Sequence, residues 1–271
     1  MAYLTAGAGA PDIASCHYGV SKLAFRGPQR SLAGRYLAVI GGTDTFGKYV
    51  EQPFSDHLEA ALGLPVVNLG VANAGPDVLL ADDEITRIAR QAQAVVVQLV
   101  GAQNQTNPFY TVHPRLNDRV LGVTPAMRGL FPEVDFTEFH FTRHLLQSLW
   151  AVSPERFAII VAQLQARWVE RMTALLQGLG PQTVLLWAGA QAPLADASTQ
   201  IGPRYPAFVD WAMVAHIVPL AQRYLELCPP TERPGLDDFL QNMALEAGVL
   251  GLRGHRSIAE RLVPVLREMV P

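Results

Sequence analysis

The residues best placed to do chemistry lie in one short segment, Tyr36-Leu-Ala-Val-Ile-Gly-Gly-Thr-Asp-Thr-Phe-Gly47. An apolar run enters a glycine-rich turn that offers a hydroxyl at Thr43 and a carboxylate at Asp44. In open α/β sheets such a turn brings backbone N–H groups and a helix N-terminus to one point, where ligands are held. If Thr43 were a nucleophile, it would need a base, a carboxylate to hold that base, and N–H donors facing the developing oxyanion. No base neighbours Thr43 in sequence, so one would have to arrive from elsewhere, as His113 or His140.

The same segment fits G-x-x-x-x-G-K from Gly42 to Lys48, the outline of a phosphate loop. Tyr49 then stands where Ser or Thr should hold magnesium, and Asp44 would place a negative charge inside the cradle. Pro53 limits the helix that should begin at the lysine, and the apolar run Ala94–Val100 ends in Gly101 instead of a magnesium-binding Asp. Nucleotide hydrolysis is the weakest of the readings.

Other polar groups each have two readings. His113-Pro-Arg115-Leu-Asn117-Asp-Arg119 could recognise a carboxylate or sulfate, or form a loop tied by local ion pairs. Asn104, Gln105 and Asn107, with Phe109 and Tyr110, suit sugar hydroxyls and ring faces, or simply local turn bonds. His140 and His144 have the spacing for a shared metal, yet no Glu follows His140 directly, so a polar helix start with a surface His is expected and no metal site. Asp44 is expected to cap the following helix. Cys16 and His17, adjacent on an extended arm, point apart.

The elements that must position these residues are set by pattern. Tyr36–Ile40, Pro65–Leu69, Ala94–Val100 and Thr183–Trp187 read as strands. Phe54–Leu62, Val78–Gln91, Pro154–Leu179 capped by Ser153, Phe208–Leu227 broken at Pro219, and Gly254–Met269 read as helices. Continuous apolar strands alternating with helices predict an α/β three-layer sandwich with a mainly parallel sheet. Residues 1–34 read as an irregular arm with Val20–Phe25 packed on the domain. Residues 35–271 read as a single domain, with an insertion at about 101–155 over the sheet's carboxyl edge.

Composition sets limits. The 271 residues suffice for a substantial core, and a net charge of −3 gives no general attraction to nucleic acid or acidic membranes. Lys22 and Lys48 are the only lysines, a pattern consistent with a GC-rich genome. Two cysteines, Cys16 and Cys228, build no disulfide framework. Ile13-Ala-Ser-Cys16 is only superficially a lipoprotein box, because no basic segment precedes it, so a cytoplasmic start without a signal peptide is expected. No run reaches membrane-spanning length, and no cofactor is implied.

Read from Gly41, Gly-Gly-Thr-Asp-Thr-Phe-Gly resembles the first block of SGNH (GDSL-type) hydrolases, Gly-Asp-Ser-Leu-Thr-x-Gly. Thr43 falls at the nucleophile position and Gly42 at that of the Asp. Asn68-Leu-Gly70-Val-Ala-Asn73-Ala-Gly75 resembles the family's oxyanion block, and Gly101-Ala-Gln103-Asn104 its Gly-x-Asn-Asp block. Gly254-His255-Arg-Ser-Ile-Ala259 resembles the Gly-His-x-x-Ile-Ala that opens its last helix. The resemblance implies an SGNH-like scaffold in which Gly42, Gly70, Asn73, Gln103 and Asn104 face a ligand. It also places the catalytic His and its Asp close to Val249 and Glu246, and Val accepts no proton. His255, beyond that point, is expected to face the helix surface. Phe25-Arg-Gly-Pro28, Phe109-Tyr-Thr-Val-His-Pro114 and Val134-Asp-Phe-Thr-Glu-Phe-His140 further resemble an uncharacterised alphaproteobacterial family, which supplies no activity.

The expectation is therefore a catalytically degenerate SGNH-like domain that binds a surface or capsular carbohydrate, with His113 and Arg115 assisting. A role in a phage-like particle, a homo-oligomer or an assembly partner would suit it. The alternative is an active esterase or acyltransferase on acylated glycans that uses Thr43 with an unorthodox base.

Overall fold

The computed structural model describes residues 13–199, 206–230 and 239–270. The chain opens with a two-stranded antiparallel ribbon, β1 (Ser15–Cys16) and β2 (Phe25–Arg26). Leu23 and Phe25 are buried, while Val20 is exposed. Buried Arg26 donates to the carbonyls of Gly47, Val50 and Glu51 at 2.8, 3.1 and 2.5 Å. The arm expected to be irregular is thus held against the end of the glycine-rich turn.

The ribbon is followed by β3 (Leu37–Gly41), α1 (Thr43–Phe46), α2 (Phe54–Leu62), β4 (Val66–Gly70), α3 (Pro76–Ala81), α4 (Asp83–Gln91) and β5 (Val95–Gln98). The segment expected as one helix over Val78–Gln91 is divided because Asp82 accepts from the amides of Glu84 and Ile85 and starts a new helix. Between β5 and the long helix lie β6 (Tyr110–Val112) and β7 (Val120–Val123), paired antiparallel, then α5 (Pro125–Leu130) and α6 (Thr142–Val152). Next come α7 (Pro154–Leu179), capped by Ser153 as expected, and β8 (Thr183–Ala188). The chain ends with α8 (Trp211–Ile217), β9 (Arg223–Leu227), α9 (Phe239–Ala247) and α10 (Leu252–Met269).

The stretch Phe208–Leu227, expected from its pattern as a broken helix, is corrected by the structure. Pro219 closes α8 through a 3-10 turn at Val218–Leu220, and β9 then pairs parallel to β8, Tyr224 opposite Leu185 and Leu225 opposite Leu186.

Among the described residues the central sheet has five strands, all parallel, in the order β4-β3-β5-β8-β9. This is the flavodoxin-like winding, an α/β three-layer sandwich with a wholly parallel sheet. Alternate residues of each strand feed opposite layers. Ala38, Ile40, Val95, Val97, Leu185 and Trp187 pack under α3, α4, α7 and α8, whereas Leu37, Val39, Val96, Val184 and Leu186 pack under α2 and α10. The chain leaves β3 first toward β4 and then returns past it to β5, so the carboxyl ends of β3 and β5 part at a switch point. Crevices in open sheets form at such points.

Candidate functional site: a polar cleft at the switch point

A cleft of about 350 Å³ opens at these strand ends. Its wall from β3 and α1 is Gly42, Thr43 and Asp44; that from β5 is Gln98–Gly101 with Gln103 and Asn104. The loop after β4 gives Asn73 and Ala74, the stretch between β5 and α7 gives Asp118 and Phe141–Arg143, and Phe208 and Val249 line it from elsewhere in the chain.

Thr43 is held by one neighbour. Its Oγ1 accepts the Asn73 amide at 2.9 Å and donates to Asn73 Oδ1 at 3.2 Å. Asn73 Nδ2 donates to Asp118 Oδ2 at 2.9 Å. The chain from Thr43 to Asp118 passes through a carboxamide, which takes up no proton at neutral pH, so Asp118 does not activate the hydroxyl. Burial raises the Asp118 carboxyl above its ordinary value, against the pull of its own backbone, Arg119, Asn73 and Lys48.

Contrary to expectation, Asp44 does not cap the helix that follows: it lies within α1, and α2 has no side-chain cap. Its Oδ1 accepts the Leu250 amide at 2.8 Å, and its Oδ2 accepts Gln98 Nε2 at 3.2 Å. Burial raises its pKa, opposed by those two donors. Gln98 also accepts Thr45 Oγ1 at 2.5 Å, so one carboxamide joins the sheet end to α1. Gln98→Leu would strand the Thr45 hydroxyl and remove one of the two donors that serve the Asp44 carboxylate. It is expected to lower stability by about 2 kcal/mol, read as a shifted urea midpoint at unchanged slope.

The backbone is bent to build this cleft. Among the described residues, Asn73 and Phe208 are the non-glycine positions with left-handed φ, at 57° and 62°, and both line it. Such conformations concentrate where a site dictates geometry. Trp168 donates its indole N–H to the Val100 carbonyl at 2.8 Å, fixing the loop after β5 from the long helix.

The residues singled out from sequence divide into two sets. Gly42, Thr43, Asp44, Asn73, Gln103 and Asn104 converge on the cleft. The Thr43 amide opens α1 and so has no intrahelical acceptor. Asn104 is committed, donating to the Asn73 carbonyl at 3.0 Å and accepting Thr142 Oγ1 at 2.6 Å. Gly70 lies outside the lining, and its amide is spent on Asn68 Oδ1 at 2.9 Å, so it offers no oxyanion donor. His113 and Arg115 lie elsewhere too: His113 Nδ1 accepts the amides of Arg115 and Leu116 in a local turn, and Arg115 borders a separate depression beside Val20–Leu23.

None of the chain's seven histidines lines the cleft. His140 is exposed, and His144 meets the Phe139 ring edge-on at 4.8 Å. His255, expected at the surface, is fully buried, because α10 lays that face against α2, where its Nδ1 accepts the Phe54 amide at 3.0 Å. Val249 does sit at the cleft wall, while Glu246 is exposed on α9. Among the described residues no group of three or more His, Cys, Asp or Glu could hold a metal, and no helix is long and apolar enough to cross a membrane.

Sequence reading missed Gln98, Phe141 and Arg143. A glutamine ending the apolar run Val95-Val-Val-Gln98 was a readable sign, since buried strands rarely keep a polar side chain without a task.

A family model described as "Domain of unknown function (DUF6473)" matches residues 1–270. No curated protein matches the chain. Among solved structures, it aligns with the lipase Lip_vut3 from a goat rumen metagenome at 14% identity and a TM-score of 0.44, over 87% of this chain and 97% of that one.

Proposed function

We propose a function from the cleft itself, since the chain belongs to the DUF6473 family, which carries no activity over to it. The cleft binds a saccharide, acylated or plain, and does not cleave it through an imidazole-activated nucleophile. The observation that carries this reading is Thr43, whose hydroxyl is bonded both ways to Asn73 in a cleft without histidine. The resemblance of the sequence blocks to SGNH hydrolases gives further support. The blocks that resemble that family's nucleophile, oxyanion and Gly-x-Asn-Asp segments each send residues to one cleft, with Val249 on the wall where the base is due.

The lining suits sugars. Asn73 and Gln103 present amides, Asp44 and Asp118 present carboxylates, and Phe141 presents an exposed ring beside them. Hydroxyls are recognised by convergent donors and acceptors, and the apolar face of a sugar ring packs on an aromatic.

A glycan array probed with the purified chain tests the reading, alongside esterase assays on acetylated sugars. Saccharide binding without turnover is expected. Thr43→Ala is expected to weaken binding about three- to tenfold, the range of one or two hydrogen bonds. Measurable ester hydrolysis that Thr43→Ala abolishes would establish an active enzyme in place of this reading.

A further inference from the structure

The rim of the cleft carries a cation that the fold does not employ. Arg143 lines the cleft and is exposed, and its guanidinium makes no hydrogen bond or ion pair with any described residue. It stands in the first turn of α6, which contains no acid and whose leading residue, Phe141, supplies no side-chain cap. A cation there faces the positive end of the helix macrodipole, an unfavourable placement. Nor is it the counter-ion of either cleft acid, because the cations acting on Asp118 are Arg119 and Lys48, and Asp44 is served by the Leu250 amide and Gln98.

Its surroundings give it a task. Phe141, 42% exposed, lines the same rim, and the Arg119 guanidinium lies over its ring at 5.1 Å. A sugar ring resting at Phe141 would bring a ring substituent toward Arg143. The planar guanidinium fork matches two oxygens of a carboxylate or a sulfate ester. Asp44 and Asp118 line the same cleft and would repel that acid, so an anionic saccharide is oriented with its acid at Arg143 and its hydroxyls toward the two carboxylates.

We infer that Arg143, beside Phe141 at the cleft rim, selects saccharides bearing an anionic group, a carboxylate or a sulfate ester. The inference rests on the proposed saccharide binding and is narrower than it. The test is an array of matched oligosaccharides in neutral, uronic-acid and sulfate-ester forms, followed by titration calorimetry of the wild type and Arg143→Gln. An acidic form is expected to bind at least about tenfold more tightly than its neutral twin, the scale of one charge-assisted hydrogen bond, and Arg143→Gln is expected to erase the difference. The uronic-acid and sulfate arms identify which group is read. Equal binding of neutral and acidic twins, or a preference that survives Arg143→Gln, overturns the inference and leaves saccharide binding standing. Retention of no saccharide in any form overturns both.

Discussion

Gly75→Ala is expected to destabilise the fold by about 3 kcal/mol or more and to abolish saccharide binding, at the upper end of overpacking costs. The reason is not backbone conformation, since φ −106° and ψ 179° suit any residue. It is space. A Cβ at Gly75 would lie 1.6 Å from the Asn104 carbonyl oxygen and 2.5 Å from its carbon, and backbone has no rotamer with which to retreat. Asn104 is pinned on both sides by Asn73 and Thr142, and the Gly75 amide donates to Asn117 Oδ1 at 3.0 Å. The added methyl must therefore part the loops that form the cleft. Gly63→Ala is the comparison: its φ is +67° with open space around it, so only the backbone penalty of about 1 kcal/mol is expected. Denaturant titration of both variants measures the contrast, and equal midpoints would contradict the close approach at Gly75.

How far such features were legible depends on the range of the interaction behind them. The sheet was readable because a buried parallel strand is a continuous apolar run, and Leu37–Ile40 and Val95–Val97 are plainly that. The cap at Ser153 is a local bond to the Arg156 amide three residues on, so composition reveals it. β9 was hidden because Arg-Tyr-Leu-Glu-Leu is an edge strand, half exposed and equally at home on a helix; pairing with β8 decides it.

The site obeys the same rule. The turn at Gly42–Asp44, the Asn73 loop and Gln103–Asn104 were legible because each lies just past the carboxyl end of a strand, where such sheets place their ligand-binding loops. The partner of Asp44 was not, because Leu250 lies 206 residues away. The segment at His113 and Arg115 carried two readings, recognition or a local turn, and His113 accepts two local amides outside the cleft lining, whereas Arg143, which the sequence did not single out, lines the cleft. Residue type alone does not separate those two cases; the folded position of each side chain relative to the cleft does.

The second large effect concerns pH. Stability is expected to fall as pH drops below about 6.5, with His255 as the chief cause. Its ring is wholly buried, lies nearly parallel to Phe54 at 5.9 Å between centroids, and accepts the Phe54 amide through Nδ1. Protonation would set N–H against N–H and add a cation at the N-terminus of α2. Burial first, then His57 and Arg26, hold its pKa down to about 3, with only the Leu250 backbone pulling upward. His57 is lowered as well, by burial and Arg256, with Asp56 and Glu260 opposing. Between about 3 and 6.5 the unfolded chain binds a proton that folded His255 refuses. Stability therefore rises with pH across that window and is lost as pH falls through it. At about 1.4 kcal/mol per pH unit this amounts to several kcal/mol. The half-buried carboxyls Asp44, Asp56 and Asp118 act in the opposite sense, because their raised pKa values favour the folded state toward lower pH. A difference measurement isolates the histidine. His255→Asn keeps an acceptor for the Phe54 amide and removes the titration, so its urea-unfolding free energy is expected to depend less steeply on pH than the wild type's between pH ~4 and ~6.5. Identical slopes would show that His255 is not the group whose protonation unfolds the chain.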